Sequence, residues 1–234
     1  KYRNKMYRPL SIAPMVGRTD QEYIYFMRLI TKETIIFTEM IHAKTIINSN
    51  ILEKYNIIKN KKKIVLQIAG NNPLELAIAS KIGENYGFEE ININCGCPSP
   101  RVMSGDFGIK LLLKPKIVAE CVRQIKKNVK IPVSVKTRIG INERDEDDVL
   151  NHFVEKLTNV DCFSFIIHAR KALENLSTKK NLSIPPLNYN RVLKLKNKFQ
   201  NIEVILNGGI KDINYKKNSN LKIDGIMIGR EAYE

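Results

Sequence analysis

Apolar residues along the chain form short runs that alternate with longer segments in which they recur every three or four positions. The runs predict buried strands, the longer segments predict amphipathic helices, and their alternation is typical of β-α units around a parallel sheet. The predicted strands span residues 10–13, 35–38, 64–68, 91–94, 133–137, 163–168, 204–207 and 225–229. The clearest predicted helices span 73–86, 115–128, 147–157 and 189–198.

Eight β-α units within 234 residues predict an α/β fold of one domain, a (β/α)8 TIM barrel over residues 1–234. Pro73 and Pro115 suit the first turn of the helices that they open, where a missing N–H costs nothing. The active site of such a barrel lies where the strands end and lead into the helices. Polar or catalytic residue types follow most of the predicted strands, so this end is the candidate site.

The last two predicted strands end in glycine-containing motifs. Asn207, Gly208 and Gly209 follow the seventh strand, and Gly229 and Arg230 follow the eighth. Barrels commonly bind a phosphate at these two strands, because glycine lets backbone N–H groups approach the oxygens and a helix start offers its positive end. The alternative is that the glycines only turn the chain.

No GxGxxG motif follows any predicted strand, so a mononucleotide such as FMN is a better candidate cofactor than a dinucleotide. Lys136 could stabilise the anionic pyrimidine edge of a reduced flavin, or form an ion pair at the rim; strand parity alone does not decide. His168 could donate to phosphate, flavin or substrate, or be a core histidine with its own partners.

Cys97 lies between Gly96 and Pro98 at the active end of the fourth strand. Cysteine is most often a small buried apolar residue, but a thiol in this position could act as a general acid, since thiols are mainly protonated at neutral pH. The spacing of Cys95 and Cys97 does not predict a metal site, and we expect none. The four cysteines form no CxxC pair, which favours a reducing compartment.

The formal net charge of +15 suggests a polyanionic partner such as nucleic acid, although compositional bias is the alternative. No apolar segment approaches the roughly 20 residues that a membrane span needs, so we expect no membrane contact. The expected localisation is cytoplasmic. An organelle is the alternative, because the sequence begins at Lys1 rather than at a methionine and a targeting peptide before it would not be visible. No obligate protein partner is expected.

The chain resembles the flavin-dependent tRNA-dihydrouridine synthases, and most closely the DusA subfamily. The resemblance covers nearly the whole length and rests on these motifs, in this order: APM (13–15), TEM (38–40), LQIAG (66–70), INCGCPSPRV (93–102), SVKTRIG (134–140), IIHARKA (166–172), IPPLNY (184–189), NGGI (207–210) and IGREAY (228–233). The HARKA and IPPL stretches favour this subfamily over its relatives.

The resemblance implies reduction of the C5=C6 bond of a D-loop uridine of tRNA to dihydrouridine, with FMN bound and NADPH as the electron source. It implies that hydride passes from the reduced flavin to the base and that Cys97 donates the proton. The FMN contacts that it implies are Pro14, Met15, Gln67, Lys136, His168, Asn207, Gly208, Gly209, Gly229 and Arg230. It also implies a C-terminal helical domain that grips tRNA, which we expect to lie outside a sequence that ends at Glu234.

Charge developing on the uracil oxygens needs hydrogen-bond donors, and Asn94, Arg138 and His168 are the candidates. Basic residues on the strand-end loops are the predicted tRNA contacts: Arg101, Arg138, Arg170, Lys171, Lys179 and Lys180. Two other functions stay open at this point. One is an FMN barrel of the dihydroorotate dehydrogenase kind, and the other is an RNA-binding barrel without catalysis.

Overall fold

The fold is seen in a computed structural model, which describes residues 8–58, 61–144, 146–215 and 222–233. Its strands are β1 (Leu10–Ile12), β2 (Ile35–Phe37), β3 (Ile41–His42), β4 (Ile64–Ala69), β5 (Glu90–Cys95), β6 (Val133–Ile141), β7 (Ser164–Ala172), β8 (Glu203–Asn207) and β9 (Gly225–Ile228). Its α-helices are α1 (Gln21–Ile30), α2 (Ala43–Asn48), α3 (Pro73–Asn85), α4 (Pro100–Ser104), α5 (Pro115–Asn128), α6 (Glu146–Thr158) and α7 (Tyr189–Lys198).

Eight parallel strands close into a barrel. β2 pairs with both β1 and β4, the order then runs from β4 to β9, and β9 pairs back onto β1. The remaining strand, β3, is a two-residue extension that pairs with the end of β4. The predicted (β/α)8 TIM barrel is therefore confirmed.

Two strands end four residues later than the sequence pattern predicted. β6 continues to Ile141 and β7 to Ala172, and their pairing shifts register between Arg138 and Gly140. The extensions place residues 138–141 and 169–172 in paired strands rather than in loops. Arg138 therefore lies directly beside His168 on the neighbouring strand.

Local signals explain where the helices begin. Pro73 and Pro115 occupy the first helical turn, as predicted, and the side chain of Asn72 accepts hydrogen bonds from the N–H groups of Leu74 and Glu75. Helix α3 then packs closely on the sheet, because a Cβ at Gly83 would lie 2.5 Å from Leu66 Cδ2. No helix in the described ranges has the length and apolarity needed to cross a bilayer.

The barrel interior has an apolar part and a polar part. The apolar part is a separate buried cluster of Ala13, Ile35, Phe37, Val65, Ile166, Ile205 and Met227. The polar part comes from β5, where Glu90, Asn92 and Asn94 alternate with isoleucines that join the outer core against the helices. Interior polar groups of this kind must find hydrogen-bond partners inside the barrel.

Candidate active site at the carboxyl end of the barrel

The backbone of Cys97 is held from both sides. Its N–H donates to Asn94 Oδ1 at 3.0 Å, and the N–H of Gly96 donates to the same oxygen at 3.1 Å. The carbonyl of Cys97 accepts from the N–H of Ile109 at 3.0 Å. Gly108 makes that approach possible, because its φ is +64° and a Cβ there would lie 2.6 Å from the Cys97 oxygen. The loop after β5 therefore presents Cys97 in one backbone conformation.

The thiol of Cys97 differs from the other three. Cys95, Cys121 and Cys162 are buried, whereas Cys97 is only half-buried, and all four are free thiols. Its Sγ lies 3.5 Å from the hydroxyl of Ser99. Ser99 occupies the N-cap position of α4 but makes no side-chain cap hydrogen bond, so its hydroxyl stays with the thiol.

Lys136 points into the barrel, which settles what strand parity left open. Its ammonium donates to Asn207 Oδ1 at 2.9 Å, and Asn207 in turn donates to the carbonyl of Met227 at 2.9 Å. Burial, reinforced by the charge of Arg138, lowers the pKa of Lys136 to about 7, while negative charge on Cys97 acts in the opposite direction. Lys136 is paired in register with Asn94, whose side chain accepts from the N–H of Cys97, so the amine and the loop of Cys97 belong to neighbouring strands at the same level.

Arg138 connects the loop after β5 to the end of β7 and to the segment that follows β7. Its Nε donates to the carbonyl of Gly96 at 3.1 Å, and its Nη1 donates to the carbonyls of Lys171 at 3.0 Å and Asn181 at 3.1 Å. Burial lowers the pKa of Arg138 to about 10, and Arg170 adds to that shift while Cys97 opposes it. The predicted role of Arg138 toward the substrate stays a prediction, because these three bonds serve the protein itself.

His168 lies among cations. Burial, followed by the charges of Arg138, Lys136, Arg170 and Arg230, holds its pKa well below the ordinary value, so the ring is neutral at neutral pH. No carboxylate is among the groups that shift the pKa of Lys136, Arg138 or His168. We name Lys136, Arg138, Arg170 and Arg230 the cation cluster. The positive charge around His168 is therefore not offset by any of the groups that shift its pKa.

Gly208 and Gly209 lie against His168 and the IPPLNY stretch. Gly208 has a φ of +112° and Gly209 a φ of +67°, values that favour glycine. A Cβ at Gly208 would lie 2.6 Å from His168 Cδ2, and one at Gly209 would lie 2.5 Å from Leu187 Cδ1. Tyr189 Oη donates to the carbonyl of Gly208 at 2.7 Å. These glycines therefore do more than turn the chain, because side chains approach them closely.

The remaining residues with predicted cofactor contacts lie at the same end. Pro14 and Met15 follow β1, and the backbone N–H of Met15 donates a hydrogen bond to Thr19 Oγ1 at 2.9 Å. Gly229 and Arg230 follow β9, and no atom lies within 4 Å of a Cβ placed at Gly229. Gln67 is buried inside the barrel, bonded to its interior neighbours.

The predicted tRNA-contacting residues differ in exposure. Arg101 on α4, and Lys179 and Lys180 after β7, are exposed. Arg170 and Lys171 are half-buried, and Arg170 donates to the carbonyls of Ser183 and Pro185. The structure brings these residues to the same end as Cys97, and their contacts with RNA stay predictions.

Several residues with a part in this site were missed by sequence reasoning. Asn181 is fully buried and bonds both Leu173 and Arg138, which orders the loop after β7. Ser99 reaches the thiol, and Asn92 and Ser134 lie beneath Asn94. The alternation of polar and apolar residues in EININ (90–94) was the available signal for Asn92, since every second residue of a strand faces the same side.

Among the residues that the structure describes, no group of three or more His, Cys, Asp or Glu side chains is arranged to hold a metal ion. The residues that converge on Cys97 are instead cations, amides and glycines. Such a set suits an anionic organic group, since charge-assisted hydrogen bonds and close backbone approach are what phosphates and anionic heterocycles require.

Comparison with known proteins gives one consistent result. Residues 11–234 match the family model described as Dihydrouridine synthase (Dus). The chain is 44% identical over 227 residues to the tRNA-dihydrouridine(20/20a) synthase of Synechocystis sp., a match that covers 97% of this chain and 68% of that protein. It is 44% identical over 229 residues to the protein of that name from Shewanella oneidensis, covering 97% and 68%. It is 45% identical over 228 residues to the one from Vibrio vulnificus, covering 96% and 69%.

Proposed function

Because the chain belongs to the dihydrouridine synthase family, we propose that it reduces the C5=C6 bond of uridine in the D-loop of tRNA to dihydrouridine. The relatives carry the designation 20/20a in their name, and the proposal takes uridines at those positions as the substrate. The observation that carries it is the placement of Lys136, Arg138 and His168 beside the loop of Cys97. Arg138 donates to the carbonyl of Gly96, and the strand register pairs Lys136 with Asn94 and Arg138 with His168.

We propose FMN as the resident cofactor. Gly208, Gly209, Gly229 and Arg230 would bind its phosphate, and Lys136 would lie at its pyrimidine edge, where an anion restores the charged form of the amine. The other proposed contacts are Pro14, Met15, Gln67, His168 and Asn207. When bound and reduced, FMN supplies a hydride, and NADPH is the proposed source of its electrons.

The proposed role of Cys97 follows from the electron balance of the reduction. Hydrogen arrives at C6 with its bonding pair, so negative charge develops on C5 and on O4, and a proton must be added at C5. Cys97 is the half-buried thiol with a fixed backbone in this site, and we assign its S–H as the donor. Asn94, Arg138 and His168 are the proposed donors toward the uracil oxygens.

We further propose that residues 1–234 act as one FMN-binding catalytic domain. Its predicted tRNA contacts are Arg101, Arg138, Arg170, Lys171, Lys179 and Lys180, at the carboxyl end of the barrel. A base inside a stacked helix could not reach Cys97, so the target uridine must leave its stack. That step costs a few kcal/mol and less in a loop.

Replacing the proposed proton donor tests the proposal. Cys97→Ala should keep FMN bound and reducible by NADPH, while dihydrouridine formation in an unmodified tRNA transcript falls by about a hundredfold or more. Nucleoside analysis by mass spectrometry gives the dihydrouridine yield, and the visible spectrum gives the state of the flavin.

Cys95→Ala is the matched control, because it removes a thiol two residues away that is fully buried. It should form dihydrouridine at the wild-type rate per folded molecule. Full turnover by Cys97→Ala would remove Cys97 from its role, and the absence of dihydrouridine with the wild-type protein, FMN, NADPH and tRNA would refute the proposed reaction.

A further inference from the structure

A continuous path of side-chain hydrogen bonds runs through the barrel interior toward Cys97. We name its members, Glu90, Ser134, Asn92, Gln67 and Asn94, the interior chain. Ser134 Oγ donates to Glu90 Oε1, Asn92 Nδ2 donates to Ser134 Oγ at 2.8 Å, and Gln67 Nε2 donates to Asn92 Oδ1 at 2.7 Å. Asn94 Nδ2 then donates to Gln67 Oε1 at 2.9 Å.

The two ends of the interior chain differ in chemistry. At the amino end of the barrel, Glu90 pairs with Arg8 through two bonds of 3.0 and 2.5 Å, and Arg8 also lies 3.0 Å from Glu203. Burial alone would lower the pKa of Arg8, but the two carboxylates outweigh it and raise the pKa. At the carboxyl end, Asn94 Oδ1 accepts the N–H groups of Gly96 and Cys97.

Both ends allow only one direction of hydrogen bonding. Glu90, paired with Arg8, can only accept, so the single hydroxyl proton of Ser134 is committed to it. Ser134 must then accept from Asn92, which turns the amide oxygen of Asn92 toward Gln67 and, in the same way, the amide oxygen of Gln67 toward Asn94. The backbone N–H groups of Gly96 and Cys97 can only donate, which requires the same orientation of Asn94.

We propose that Asn92 and Ser134 are positioning residues for the proton donor, acting through the amides of Gln67 and Asn94. Neither lies in the set of residues proposed to touch the cofactor or tRNA. They set the direction of the interior chain, so that Asn94 offers its oxygen to the loop and the thiol of Cys97 keeps one position. The assignment rests on the proposed function of Cys97, but the order of the loop can be measured without turnover.

Two substitutions at Asn92 test the assignment. Asn92→Leu has a similar volume and no hydrogen bonds, so it interrupts the interior chain at any pH. Asn92→Asp keeps an acceptor for Gln67 whether its carboxyl is protonated or ionised, so the amides of Gln67 and Asn94 keep their orientation. A loss of order in Asn92→Leu that Asn92→Asp does not share therefore reports the missing acceptor.

The readout is the protection of the Gly96 and Cys97 amides from hydrogen exchange, measured by NMR on the protein without tRNA. Asn92→Leu should reduce their protection factors about tenfold, the loss that one net hydrogen bond corresponds to. Asn92→Asp should keep the wild-type protection of both amides, because an acceptor still faces Gln67. The amide of Ile167, in the same barrel, should keep its protection, which separates local loosening from global unfolding.

Ser164→Ala is the matched control, because Ser164 also donates to a carboxylate of the Arg8 cluster, Glu203 at 2.6 Å, yet has no bond to the interior chain. It should leave the Gly96 and Cys97 amides protected. If Asn92→Leu does not fold, Ser134→Ala replaces it, because this variant removes the acceptor that orients Asn92. It should likewise lower the protection of the Gly96 and Cys97 amides.

Turnover supplies a second readout. Asn92→Leu should lower kcat for dihydrouridine formation with little change in KM for tRNA, since Asn92 contacts no substrate. Wild-type protection of both amides in Asn92→Leu (or in Ser134→Ala, where Asn92→Leu does not fold) would overturn the positioning role. Equal loosening in Asn92→Asp or in Ser164→Ala would overturn it as well. A wild-type protein that forms no dihydrouridine would refute the proposed function and leave the exchange result standing.

Discussion

The side-chain amine of Lys136 lies in surroundings that disfavour its positive charge. Its pKa falls from an ordinary 10.5 to about 7, because the side chain is buried and Arg138 carries the same charge nearby. Its one described hydrogen-bond partner is the neutral amide of Asn207. An anion bound beside it would reverse the shift.

Lys136→Met should therefore stabilise the protein without FMN in a pH-dependent way. Between pH 7 and 10.5 the unfolded chain binds more protons at this residue than the folded chain, so wild-type stability rises with pH across that interval. The melting temperature of Lys136→Met, relative to wild type, should be highest below pH 7 and decline toward pH 10.5. Thermal melts at pH 6, 8 and 10 give the comparison.

Lys127→Met serves as the control, since Lys127 is an exposed lysine near the end of α5. The difference in melting temperature between Lys127→Met and wild type should not decline from pH 6 to pH 10 as it does for Lys136→Met. If the melting temperatures of Lys136→Met and wild type differ by the same amount from pH 6 to pH 10, the buried amine does not have a lowered pKa.

Cys97 could be predicted from the sequence, because its place between glycine and proline at a strand end is a local feature. The inward direction of Lys136 and the hydrogen bonds of Asn92 could not. Both depend on which residues of neighbouring strands share a level, and the pairing of Asn92 with Ser134 is a contact across 42 positions of sequence. Strand parity narrows such choices to two faces, and the closed barrel decides between them.

Hydrogen bonds and contacts of a few side chains connect the loops at the carboxyl end of the barrel. Arg138 joins the loop after β5 to the segment after β7, and Leu187 and Tyr189 cover the glycines after β8. The sequence predicted the glycine motif and the strand that precedes it. It did not predict that IPPLNY packs on that motif, because the contact depends on how the long β7–α7 connection folds back.

Gly208→Ala should damage the cofactor site more than it damages the fold. A Cβ at Gly208 would lie 2.6 Å from the ring of His168, so the ring must move as well as the backbone. Gly87→Ala is the matched control, with a φ of +86° and no atom within 4 Å of its Cβ. Both should lose about 1–2 kcal/mol of stability from the left-handed backbone, and only Gly208→Ala should weaken FMN binding at least tenfold.

Fluorescence quenching of FMN, with thermal melts alongside, measures the two effects separately. Equal FMN affinity for Gly208→Ala and Gly87→Ala would contradict the proposed role of the glycine pair.

Charge is distributed over the whole molecule, and its net value of +15 does not by itself identify a partner. The barrel fold was predictable from the sequence, because eight apolar runs separated by helical patterns fit few other architectures. The proposed tRNA-contacting surface was less predictable, since lysines occur at both ends of the barrel. The exposed Lys179 and Lys180 lie in the segment between β7 and α7, whereas Lys127 and Lys198 lie in the last turns of α5 and α7, at the opposite end.

Reversing charge at the two ends should affect tRNA binding unequally. The pair Lys179→Glu and Lys180→Glu should weaken binding and make the dependence of log K on log salt less steep, by roughly one unit for each phosphate that the variant no longer neutralises. The pair Lys127→Glu and Lys198→Glu changes the net charge equally and should leave that slope near the wild-type value. Filter-binding titrations over a salt series give both slopes, and equal weakening by the two pairs would assign tRNA binding to net charge alone.

The most direct test is to add FMN to the purified protein, remove the free flavin by desalting, and record the visible spectrum. Cations, glycines and a thiol at one end of the barrel predict one flavin retained per chain, with a perturbed spectrum that bleaches when NADPH is added without oxygen. Retention should fall in Lys136→Met and persist in Cys97→Ala. A protein that emerges colourless, with all of the flavin in the free fraction, would contradict the account.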